Sequence, residues 1–182
     1  MKGQHRLLFF IRHSEEFTYN SFLISSRSAK MIRLMQATDL QAVAQIEKRV
    51  QSHPWTLNQF EESMTSYLST VVELNNQVVG FCILQPVVDE ANLLLMAIDP
   101  NQQGKGFGYQ LLDESIALLK NNPVQIFLEV RESNQAAIAL YEKSEFHQID
   151  LRKNYYPNKD GSREHAIIMV KSCSDDFSKL FK

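Results

Sequence analysis

The chain has 182 residues, 44% of them apolar, which is enough for one domain with a substantial core and short for two. Nineteen basic residues against 21 acidic leave a formal net charge of -2, so there is no broad positive field to grip a phosphate backbone and nothing recommends a nucleic-acid partner. Two cysteines, Cys82 and Cys173, cannot make a disulfide framework, and the five histidines show no metal-ligand spacing, which fits a reducing, cytoplasmic compartment and no metal site. The apolar run Leu7 to Ile11 stops at Arg12, short of a signal-peptide core, and no segment approaches the length of a membrane span.

Residues 1–30 lack a clear period and are expected to form a poorly ordered extension, or an upstream start ahead of Met31. From Met31 the signals sharpen: a short strand over Ile32 to Met35, then Thr38 and Asp39 as cap candidates before Leu40, Val43, Ile46, Glu47 and Val50 at helical spacing. Thr56 with Gln59 predicts a capping box for a second helix reaching about Met64. Leu68 to Leu74 and Val78 to Leu84, separated by Asn75, Asn76 and Gln77, read as a hairpin. After the polar corner at Asp89 and Glu90, the continuous apolar run Leu93 to Ile98 predicts a strand buried on both faces. A helix then extends to about Asn121, followed by a strand over Val124 to Val130, a helix over Asn134 to Ser144, and a closing pair of strands, Phe146 to Tyr155 and Glu164 to Val170. The expected class is α/β, a mixed sheet with helices on its faces and flanking segments at 1–30 and 173–182.

Three of the six glycines fall between Gly104 and Gly108, directly after a buried strand and before an amphipathic helix. Glycine permits positive φ and close approach to the main chain, while the first amides of the following helix are unsatisfied and sit at its positive end. A diphosphate is the natural occupant. The loop lacks the Gly-Lys-Ser/Thr of a nucleotide P-loop and the Gly-x-Gly-x-x-Gly of a dinucleotide site.

What it does match is Gln103-x-x-Gly106-x-Gly108, which resembles the acyl-coenzyme A loop of the GNAT superfamily of N-acetyltransferases. Pro54-Trp55, Asp89-Glu90-Ala91, Leu128-Glu129-Val130-Arg131, Ser133-Asn134, Ala137 to Glu142, Phe146 and Asn154-Tyr155-Tyr156-Pro157 narrow the likeness to the ribosomal-protein-alanine N-acetyltransferase family, over roughly residues 31–171. The resemblance implies one domain over 31–172, a mostly antiparallel mixed sheet of about seven strands with about four helices. It also implies acetyl-CoA as co-substrate and, as acceptor, the N-terminal alanine of the eighteenth small-subunit ribosomal protein; the alternatives are lysine side chains or a small amine as acceptor, or a non-catalytic acyl-CoA-binding module. Gly104 departs from the larger residue usual at its position in that family.

Acetyl transfer to an amine needs a base, a stabilised oxyanion and an acid for the leaving sulfur. Alternation in the strand Val124 to Val130 sets Glu129 on the face opposite Ile126, Leu128 and Val130, at the strand's carboxyl end, where it is either a solvated carboxylate or a base. The resemblance implies the base. Asn134, Ile138 and Tyr141 share a helix face, where Asn134 is a cap or a cofactor contact and Tyr141 a core aromatic or an acid. The resemblance implies that Tyr141 protonates the sulfur and Asn134 contacts acetyl-CoA. It further implies that the opened strand supplies main-chain amides at Met96, Ala97 and Ile98, and that Gln103, Gly104, Lys105, Gly106, Phe107, Gly108 and Tyr109 hold the cofactor. Asp89 and Glu90 are either an exposed turn or an attraction for a basic peptide, and Tyr155 and Tyr156 either ordinary strand aromatics or a closure over its end. Cys82 and Cys173 lie near no histidine in sequence, so direct attack without an acetyl-cysteine is expected.

Overall fold

The computed structural model describes residues 30–173, so the expectations for the leading extension and for the tail beyond Cys173 fall outside the described residues. Strand β1 (Lys30–Leu34) leads through a 3-10 turn (Ala37–Asp39) into α1 (Leu40–Val50) and then α2 (Leu57–Ser66). Three strands follow, β2 (Leu68–Leu74), β3 (Gln77–Val87) and β4 (Glu90–Ile98), and after a second 3-10 turn α3 (Phe107–Ala117). Strand β5 (Gln125–Arg131), α4 (Gln135–Lys143), β6 (His147–Pro157) and β7 (Arg163–Ser172) complete the order.

The predicted capping box forms: the Thr56 hydroxyl accepts from the Gln59 amide while the Gln59 side chain accepts from the Thr56 amide at 2.9 Å. Helix α3 ends at Ala117, earlier than its apolar run predicts. The Leu119 amide turns back to the Ile116 carbonyl at 3.0 Å, and Asn122 takes a positive φ of 43° ahead of Pro123.

All seven strands join one sheet in the order β1-β2-β3-β4-β5-β7-β6, and only β4 and β5 run parallel. Alternation sorts the strand residues between two layers. On one face Val71, Phe81, Ile83 and Ala97 pack with Val43, Ala44 and Ile46 of α1 and Phe60 of α2. On the other, Val72, Cys82, Leu84, Ile126, Leu128 and Val130 pack with Leu111 and Leu112 of α3 and Tyr141 of α4. Edge strand β1 is tied in by Arg33, which donates to both Asp39 oxygens at 2.6 and 2.9 Å and to Glu73 at 2.7 Å. That pairing holds the Asp39 carboxyl below the ordinary carboxylate range.

Strand β4 departs from its predicted two-sided burial. Leu84 of β3 pairs with Leu93 and Ile83 with Leu95, so Leu94 is the extra residue of a β-bulge and is 36% exposed. Such a bulge bends its strand and locally breaks pairing. The ladder with β5 ends at that place, since Leu93 opposite Leu128 is the last pair although both strands continue.

Candidate active site

Where β4 and β5 part, a cavity of about 330 Å³ opens through the sheet. Leu93 to Met96 of β4 form one side and Leu128 to Arg131 of β5 the other. Asn134, Ala137 and Tyr141 of α4 close it on the α3/α4 face, and Glu47, Gln51, Ser52, His53 and Trp55 wall it on the α1/α2 face. Tyr156 and Pro157 of β6 complete the lining.

Glu129 of β5 and Tyr141 of α4 both line this cavity. Glu129 points away from the packed face of β5, because its neighbours Leu128 and Val130 are buried in the α3/α4 layer. Its carboxylate pairs with the Arg152 guanidinium from β6, which in turn lies 5.4 Å from the Tyr155 ring centre. Tyr141 is 9% exposed, packs its ring at 5.9 Å from Phe146, and its hydroxyl has no hydrogen-bond partner among the described residues. Burial, then the nearby Cys82 and Tyr156, push its phenol well above the ordinary tyrosine range, so it carries its proton at every physiological pH. Burial and the Glu129 charge likewise push Tyr156 up.

Asn134 is the N-cap of α4, its side-chain oxygen accepting from the Ala137 amide at 3.2 Å, and it also lines the cavity. The helix face turned to the cavity carries Ala137 where the sequence suggested Ile138, which packs into the core instead. Of Met96, Ala97 and Ile98, only Met96 lines the cavity, and the Ile98 carbonyl is taken by the Gln103 side chain at 3.0 Å.

The glycine loop starts from Asp99, whose carboxylate accepts from Arg49 of α1 at 2.6 Å and caps the turn at Asn101. Gly104 and Gly106 have φ of 74° and 82°, and space around both is open, with no atom within 4 Å of where a side chain would begin. The glycine at 104 therefore suits a left-handed backbone that a larger residue would strain. Gly106 caps α3, leaving the amides of Phe107, Gly108 and Tyr109 free at the helix's positive end. Gly108 lets α3 lie close to α4, since a Cβ there would stand 3.3 Å from Leu140. Lys105 folds back, donating to the Asn101 carbonyl at 2.9 Å and to Gln102 at 2.8 Å, so the anion donors of the loop are main-chain amides. The Lys143 ammonium sits 5.0 Å from the Tyr109 ring centre on the same face. An open cradle of this kind, followed by a split sheet that can pass a narrow chain, fits an acyl-coenzyme A.

The acidic corner does not belong to the site. Asp89 and Glu90 stand at the amino end of β4, tethered through the Val88 and Glu90 carbonyls to Asn121, while the cavity lies toward the other end. Of the tyrosine pair, Tyr156 lines the cavity under Arg131, 4.5 Å from its ring centre, whereas Tyr155 is outside it and 41% exposed. Glu47 was not singled out from sequence as a site residue, although a glutamate four residues after Val43 in an apolar stripe is itself a signal. Arg152 carried no signal. Cys82 is fully buried with its thiol pushed up to about 12, as suits an inert core residue. Among the described residues no group of His, Cys, Asp and Glu gathers to hold a metal, and no helix is long and apolar enough to cross a membrane.

The family model described as Acetyltransferase (GNAT) family matches residues 33–146. The chain belongs to the GNAT acetyltransferase family. It is 43% identical over 142 residues to ribosomal protein bS18-alanine N-acetyltransferase of Haemophilus influenzae, covering 77% of this chain and 97% of that protein. The crystal structure of the ribosomal-protein-S18-alanine N-acetyltransferase from Escherichia coli superposes with a TM-score of 0.75 at 40% identity, over 85% of this chain and 100% of that one. A Salmonella typhimurium protein solved with its cofactor acetyl-CoA shares the fold, at a TM-score of 0.70 and 19% identity over 82% of this chain and 96% of that one. As a member of this family the chain is an acetyl-transferring enzyme.

Proposed function

We propose that this GNAT enzyme transfers the acetyl group of acetyl-CoA to the N-terminal α-amine of a protein, the N-terminal alanine of ribosomal protein bS18. The observation that carries it is that Glu129 and Tyr141 line one cavity bordered by elements of both faces of the sheet. Similarity to enzymes named for bS18-alanine acetylation supplies the acceptor.

The amides of Phe107, Gly108 and Tyr109, with the Gly104 and Gly106 backbone, hold the pyrophosphate at the α3 terminus. Bound acetyl-CoA supplies the activated thioester. Asn134 and the β4 backbone from Leu94 to Met96, unpaired on its β5 side, align its acyl arm through the split, and main-chain amides there face the acetyl oxygen as charge develops on it. Glu129 takes a proton from the incoming ammonium, whose ordinary pKa of about 8 makes this a modest task. Tyr141, protonated and with its hydroxyl unengaged, gives a proton to the departing sulfur. No acetyl-enzyme is needed, because Cys82 is sealed in the core and Cys173 does not line the cavity.

Mass spectrometry of ribosomal proteins incubated with enzyme and acetyl-CoA tests this reading: one acetyl group on the bS18 N-terminal alanine is expected. Acetylation confined to lysines, or none, would remove the α-amine assignment. Initial-rate lines that intersect are expected from the direct route, and parallel lines would exclude it.

A further inference from the structure

The cavity wall holds one ionisable side chain that the reaction above does not use. Glu47 lies in the stripe that α1 buries, beside Val43, Ala44 and Ile46, and is itself fully buried. Neither of its carboxylate oxygens has a hydrogen-bond partner among the described residues. Burial pushes its carboxyl up to about 7, and the Trp55 main-chain amide draws it back in part without reaching full hydrogen-bond geometry. An unpaired buried carboxylate is among the costliest groups a core can contain, and a leucine or glutamine would fill the same space at less cost. The position therefore calls for a partner supplied from outside the fold.

Its surroundings say what that partner is. Glu47 borders the cavity on the α1/α2 face of the sheet, the same face toward which Glu129 points. Glu129 has its counter-charge in Arg152, whereas Glu47 has none. Tyr141 and Asn134 border the cavity from the α4 side, so the acyl arm and the acceptor reach it from opposite faces. A primary ammonium, compact and carrying three donors, matches two unpaired carboxylate oxygens in charge and in number of bonds. We propose that Glu47 receives the acceptor's α-ammonium, accepting hydrogen bonds from the nitrogen that is to be acetylated while Glu129 takes its proton. This rests on the α-amine reading of the function. In the ligand-free chain the Glu47 oxygens are covered, so side chains between Gln51 and Trp55 shift as the peptide enters, in the non-helical segment that joins α1 to α2.

Steady-state kinetics with a peptide of the bS18 N-terminus and acetyl-CoA test the assignment on wild type, Glu47→Gln and Glu47→Leu. In Glu47→Leu the peptide KM is expected to rise about 10- to 100-fold, the size of a lost charge-assisted contact, with the acetyl-CoA KM unchanged and the melting temperature equal or higher. Glu47→Gln keeps one acceptor oxygen and is expected to lie between. A peptide bearing an acetylated N-terminus, which has no ammonium, is expected to inhibit wild type and both variants equally. A peptide KM within threefold of wild type in a folded Glu47→Leu overturns the proposal. Should that variant not fold, an unchanged peptide KM in Glu47→Gln overturns it. A wild type that acetylates no α-amine ends the functional reading and this proposal together, while unchanged variants of an active wild type end this proposal alone.

Discussion

Strands β4 and β5 run side by side from Glu90 and Gln125 to Leu93 and Leu128, and beyond that point the same two strands separate. In the paired half, Ala91, Ile126 and Leu128 are buried and contribute area to the core. In the parted half, Leu94 is partly exposed, Glu129 carries a charge, and the β4 main chain has lost one neighbour. The closed half of the pair stabilises the sheet, and the open half gives up ladder bonds to expose backbone and side chains to substrates. The paired stretch and the parted one thus adjoin within one residue step along each strand.

That separation can be broken at either end. Glu129→Gln in the open half and Tyr141→Phe in α4 beside it are expected to lower kcat by about 10²- to 10⁴-fold each with acetyl-CoA binding and melting temperature retained. Unchanged turnover in either would remove that residue's role. Ile126→Ala in the closed half is expected to do the opposite, costing about 2–5 kcal/mol in denaturant unfolding while the folded fraction keeps its kcat. A kcat loss at constant stability would show that the two halves are not independent. Glu47, in the wall of the open half, should make the ligand-free protein less stable as pH rises. Its folded carboxyl titrates near 7 and its unfolded one near the ordinary 4.5, so between those values the unfolded chain releases its proton first. The expected loss is roughly 3 kcal/mol across that window, measured as unfolding free energy against pH, and Glu47→Gln should flatten it. Deleting Leu94 removes the bulge and should let β4 continue its ladder with β5, lowering turnover by about 10²-fold through misplaced groups while the protein still folds.

Much of the frame was legible because it depends on local rules. The Thr56 and Gln59 box, the hairpin of β2 and β3, and the glycine loop after Asp99 follow from capping, alternation and backbone permissiveness. Glu129 and Tyr141 are candidates because resemblance names them, and alternation puts Glu129 on the free face of β5. The split was not legible. Leu93 to Ile98 is an unbroken apolar run, and nothing in its spelling reveals that Leu94 is the surplus residue of a bulge. Misplacing Asp89 and Glu90 has a similar origin, since sequence gives the charge of a corner but not which end of the sheet it occupies. Arg152 was hidden for the opposite reason: its partner Glu129 lies 23 positions earlier and comes near it only because β7 sets β5 and β6 on its two sides.

A single surplus residue at Leu94 turns a continuous partition into one with a window. Two reactants that come to a window from opposite rooms never contend for the same doorway. On the proposed function, the thiol product withdraws along the glycine-loop side and the modified peptide past α1, so neither exit waits for the other to clear.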